Sequence, residues 1–183
     1  MSTLNGLPAH ILLVHAIVVL VPLAALLLVL SIARPSLRER LAGPNAVLSL
    51  VVLALVPVTT SAGEWLQSRV GSTETVRKHA EQGDTALYVV IPLAAMALVV
   101  WWRGREADAL IERPGGGGGG VATLTRTYLA PTTRVVTTVV AVLAVLAAVA
   151  AVYDVYLIGD SGAAATWQDS FSSTPLPDAP QGG

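Results

Sequence analysis

Four stretches of this chain run for roughly 20 residues with almost no charge: Ile11 to Ala33, Pro44 to Ala62, Thr85 to Trp102 and Thr132 to Ile158. No other feature leaves so few alternatives. About 20 mainly apolar residues in a helix, rising about 1.5 Å each, cover the hydrocarbon core of a bilayer. In that core every backbone N–H and C=O must find a partner within the chain, so runs this long are helices and not strands. Composition agrees: 54% of the 183 residues are hydrophobic and 13% are charged, where a soluble domain carries about 25% charge. The sequence predicts an all-α integral membrane bundle of four transmembrane helices. The first run lacks a basic leader and exceeds the apolar core of a signal peptide, so it reads as a retained helix.

Arginine placement sets the expected orientation. The connection after the first helix carries Arg34, Arg38 and Arg40, and the one after the third carries Arg103, Arg105, Arg113, Arg126 and Arg134. The connection after the second helix holds only Arg69, Arg77 and Lys78. By the positive-inside rule the richer side faces the cytoplasm, which puts both termini on the extracytoplasmic side of a bacterial inner membrane. Ten arginines against one lysine, with abundant Ala and Val, hint at a GC-rich bacterial genome.

Residues 4–167 are expected to form the transmembrane domain. Within it, residues 103–131 read as a cytoplasmic flexible linker around the glycine run Gly115 to Gly120, and residues 168–183 as a disordered Pro/Ser/Gly tail. The glycine run is not a phosphate-binding loop, because no Gly-Lys-Ser/Thr follows it and no strand precedes it. Pro22, Pro57 and Pro92 fall inside helices, where they shape packing or kinks. A net charge of −1 argues against nucleic acid as a partner, and the absence of cysteine excludes thiolate chemistry and disulfides. The lipid bilayer is the one partner that composition implies.

The chemistry-bearing residues gather on one side. His10 opens the first helix in "LPAHILLVHA", and His15 follows five residues later. Glu64 ends the second helix, and His79 sits on a short helix in "STETVRKHAEQGD". That helix is supported by Glu74–Lys78 and Arg77–Glu81 spacings, with Gly83 as its C-cap and Asp84 capping the next helix. Asp154 and Asp160 lie near the end of the fourth helix. Imidazole ligates zinc, copper or haem iron, and a carboxylate can complete a zinc or copper site. His10, His15, His79 and Asp160 are therefore candidate metal ligands, with Glu64 and Asp154 nearby. His10 and His15 differ by about 140° around a helix, so only one faces the bundle, and His15 is expected to be the one that meets His79. The same residues could instead bond across helices and lock their packing. Asp154 with the prolines would be the machinery of a proton-coupled carrier. "GDSG" around Ser161 matches a protease nucleophile motif, but no triad accompanies it, and no catalytic constellation is read here.

"GLPAHILLVHAIVVLVPLAALLLVL", "SAGEWL", "HAEQGDTAL" and "IGDSGAAATW" together resemble the bacterial membrane family known as domain of unknown function 2231. The resemblance covers roughly Leu4 to Trp167 and implies a four-helix membrane protein without an assigned activity. The family's usual first motif has proline where this chain has Ile11, and its last motif reads Gly-His-Ser-Gly-Ala where this chain has Asp160. If the family carries a four-histidine site, aspartate at position 160 keeps zinc ligation open and disfavours haem ligation there. The resulting expectation is an outer-leaflet His/acid site for a metal or haem, serving a membrane or extracytoplasmic redox partner. The alternatives are a non-catalytic scaffold and, third, a proton-coupled carrier.

Overall fold

Arg34 alone separates the first two helices, α1 (Ala9–Ala33) and α2 (Pro35–Gln67). Proline at position 35 forces the residue before it out of helical geometry, and Arg34 is extended at φ −144°, ψ 134°. Pro35 then starts α2 at the one place where its missing N–H costs nothing. The computed structural model describes residues 3–4, 6–111 and 133–168. A minimal hairpin of β1 (Thr3–Leu4) and β2 (Leu7–Pro8), turning at Gly6 with φ +80°, precedes α1. The remaining helices are α3 (Glu74–Gly83), α4 (Ala86–Ile111) and α5 (Arg134–Trp167).

Four helical segments, Ala9–Ala33, Pro35–Gln67, Glu74–Ala107 and Arg134–Trp167, are long and apolar enough to cross a membrane. α2, α4 and α5 overrun their apolar stretches. "RPSLRERLAG", expected as a connection, is the first part of α2 from Pro35 onward. "RGREADALI" prolongs α4 to Ile111, and "GDSGAAATW" belongs to α5. An apolar run measures hydrocarbon thickness, whereas Arg, Glu, Leu and Ala continue a helix readily beyond it. The glycine run Gly115 to Gly120 and the tail beyond Gln168 lie outside the described residues.

α1, α2, α4 and α5 close into a ring in that order, each packed on the next, and α3 lies across the end of α5. The interior is made of small side chains. On α5 they are Ala144, Ala147, Ala148 and Ala151 above Val155, and on facing helices Ala24, Ala25, Ala46, Ala94 and Ala97 around Val21, Leu28, Val52 and Leu93. Helices in lipid gain little from hiding apolar surface, so small residues that let backbones approach mark their contacts. Val139, Leu146, Val149 and Tyr153 remain exposed on the opposite side of α5.

α3 is the exception in character: polar, with Arg77 pairing both Glu74 and Glu81. Glu74 thus finds Arg77 at i+3, and not Lys78 at i+4 as the spacing suggested. Thr73 caps its start by accepting the Val76 N–H at 3.2 Å. Gly83 is still helical and Asp84 is the C-cap. The chain passes into α4 with hardly a break, because the Thr85 N–H and the Asp84 N–H still bond back to Gln82 and Ala80.

Candidate functional site

The start of α1, the end of α2, all of α3 and the end of α5 meet at one end of the bundle, which carries all three histidines. His10 follows the extended Pro8 and sits one position inside α1. Its Nδ1 lies 3.0 Å from the Thr59 carbonyl of α2. A carbonyl only accepts, so Nδ1 carries the proton and Nε2 keeps its lone pair. His79 crosses from α3 to α5, with Nδ1 3.1 Å from Ser161 Oγ. The Ser161 hydroxyl proton goes to the Ile158 carbonyl at 3.0 Å, leaving its oxygen to accept from His79 Nδ1–H. Both rings therefore present Nε2 as the free nitrogen.

The two rings touch edge-on, with centroids 6.1 Å apart and planes inclined by 71°. Each packs against a helical glycine. A Cβ at Gly63 would stand 2.9 Å from His10 Cε1, and one at Gly162 would stand 3.0 Å from His79 Cε1. Gly63 and Gly162 are thus the positions that admit the imidazoles between helices. The polar α3 lies beyond the apolar stretches, and there burial pushes the His79 imidazole below its ordinary value. Neighbouring His10 acts in the same direction, and the Ile158 carbonyl opposes both.

The other expected residues sit apart from this pair. His15 is exposed and bonds its own helix, Nδ1–H to the Ile11 carbonyl at 2.6 Å. It is His10, not His15, that meets His79. The buried face of α1 runs through Ile17, Val21, Ala24 and Leu28. His10 precedes Ile17 by two turns, within about 20° of the same face, whereas His15 is about 200° from Ile17. Asp160 is exposed and borders a groove of about 410 Å³ between α1 and α5, beside Val18, Pro22 and Tyr156. Glu64 is exposed one residue beyond Gly63. Asp154 bonds through Oδ1 to Thr85 Oγ1 at 2.7 Å, and its Oδ2 is buried without a partner. Among the described residues no three His, Asp or Glu side chains converge in a metal-holding group.

Ser161 and His79 are in contact, yet they do not form a hydrolytic pair. A nucleophilic serine needs its hydroxyl proton taken by the imidazole. Here the imidazole donates, the hydroxyl is committed to a carbonyl, and Ser161 is buried inside α5. Thr59, Gly63 and Gly162 were not singled out from the sequence, and Ser161 was read only as a motif match without a triad. For the two glycines the signal was their isolation in "SAGEW" and "GDSGA", since a glycine inside a helix marks close approach of another group.

A ring of four spanning helices, with imidazoles from two further-separated segments meeting at one end, defines a multi-pass helical membrane protein. The chain belongs to the family described as Predicted membrane protein (DUF2231), which it matches over residues 6–175. No curated protein and no solved structure matches it.

Proposed function

We propose that the histidine end holds a single copper or zinc ion between His10 and His79, in a protein of the bacterial inner membrane with both termini outside. The ion would serve as accessory to a membrane or extracytoplasmic redox partner. The observation that carries this reading is the state of the two imidazoles. Each donates Nδ1–H to a protein acceptor on another helix and keeps Nε2 free, the arrangement that orients and strengthens metal-ligating histidine. Imidazole suits copper and zinc, and solvent or an external ligand would complete the coordination. His15, Asp160, Glu64 and Asp154 have no ligand role in this reading.

The test is the metal content and the reduced-minus-oxidised spectrum of protein purified in mild detergent and offered copper, zinc and haem. About one copper or zinc per chain is expected, lost in His10→Ala and His79→Ala and kept in His15→Ala. A Soret band would replace the ion by haem, and no bound metal in folded protein would overturn the reading.

A scaffold is the second reading, favoured by the cross-helix bonds His10–Thr59 and His79–Ser161, which tie α1 to α2 and α3 to α5. Under it the same variants lose thermal stability with no ligand to lose.

A further inference from the structure

At the opposite end of the bundle, Arg103 of α4 is only 8% exposed. Its Nη2 donates to Thr137 Oγ1 of α5 at 3.1 Å, and its Nη1 has no hydrogen-bond partner. Arg38 of α2 lies along the next residue of α4. Its Cδ and Nε stand 4.0 Å from where a Gly104 Cβ would be, and this Nε is also buried without a partner. Neither arginine is ion-paired among the described residues, where the only salt bridges are those of Arg77. A guanidinium cannot shed its charge, since its proton stays bound at any ordinary pH. Arg103 is thus a buried cation with an unused donor, and the half-buried Arg38 beside it adds a second charge and an unpartnered Nε. Together they call for an anion, which a neutral threonine hydroxyl does not supply.

We propose that Arg103 and Arg38 bind a phosphate-type oxyanion. The guanidinium fork matches phosphate oxygens two at a time. The height in the membrane favours a lipid headgroup as its source. Trp101 and Trp102 immediately precede Arg103, and paired tryptophans mark the level where chain meets headgroup. Trp101 packs its indole Nε1 3.6 Å from the Gly43 Cβ position, five residues along α2 from Arg38. Basic pockets between transmembrane helices are the known setting for anionic headgroups. Arg105, by contrast, is exposed on the same helix and can be solvated without a ligand.

The experiment uses the full chain, delipidated in detergent, with thermal unfolding and native mass spectrometry as readouts. Phosphatidylglycerol, phosphatidylcholine and inorganic phosphate are added separately. Phosphatidylglycerol is expected to bind and raise the melting temperature, with phosphatidylcholine weaker. Arg103→Gln should weaken that binding by about tenfold, the loss of one charge-assisted bond, while Arg105→Gln should leave it unchanged. Arg103→Lys and Arg38→Gln serve if Arg103→Gln does not fold: both keep a charge at this end and should still weaken binding. If inorganic phosphate alone reproduces the shift, the oxyanion is a free one and not a headgroup. Equal response to all three additives, or an unchanged response in folded Arg103 and Arg38 variants, overturns the proposal.

Discussion

His10 and His79 reach each other from helices far apart in the chain, their rings in a T-shaped contact with centroids 6.1 Å apart, each seated on a glycine of a third and a fourth helix. One contact thus joins α1, α2, α3 and α5, and its tightness has consequences that can be measured.

Gly63→Ala and Gly162→Ala should each destabilise the protein by about 1–3 kcal/mol, the usual cost of forcing a carbon into a packed site. The clash lies with His10 in the first case and with His79 in the second. Gly159, also in α5, has open space where its Cβ would stand. Gly159→Ala should therefore hold or slightly raise stability, since alanine is the better helix former. Thermal unfolding in detergent of the three variants checks this ordering, and equal effects at all three positions would contradict the glycine-seat geometry.

Stability should fall with acid through His79. Burial, aided by His10, depresses the folded-state pKa of this ring, while the unfolded chain titrates near the ordinary value of about 6.5. Between those values the unfolded state binds more protons. The contribution is therefore full above about 6.5 and is lost as pH falls toward the depressed folded value. Melting temperatures of metal-free protein between neutral and mildly acidic pH should show this slope, and His79→Gln should flatten it.

Asn45 is a buried clamp between α2 and α1, 1% exposed. Its carboxamide nitrogen donates to the Ala24 carbonyl at 3.1 Å and its oxygen accepts from Leu28 N–H at 3.2 Å. Asn45→Ala should cost about 1–2 kcal/mol, because cross-helix bonds in lipid average about 0.6 kcal/mol each and a cavity adds to the loss. Val47→Ala, on an exposed position two residues on, is the comparison and should change little.

The chain has no cysteine, so single cysteines report topology cleanly. The proposed orientation, with both termini outside, predicts that Ser72→Cys reacts with an impermeant maleimide on intact cells. Ser36→Cys should react only after permeabilisation. The reverse pattern would invert the orientation drawn from the arginines.

Four spanning helices were legible because charge is so scarce in four long runs that little else could satisfy the backbone in lipid. The shared end of the histidines followed from counting those spans. Which histidine turns inward did not. α1 is apolar around its whole circumference, and in a bilayer both the lipid-facing and the core-facing sides welcome Leu and Val. No hydrophobic stripe therefore marks the phase that separates His10 from His15. Helix lengths were equally hidden at the polar ends: Arg38, Arg103 and Asp160 each lie on helix that overruns its apolar run.

The sequence by itself determined the number of helices, their alternating direction and the end to which each titratable group belongs, because these depend on local composition and chain order. Only the tertiary structure decided that His10 and not His15 meets His79, that Gly63 and Gly162 seat their rings, and that Arg103 is buried beside Arg38. Those facts depend on helix rotation and on which helices are neighbours in the ring. Both are set by small-residue contacts between helices, which no single segment carries.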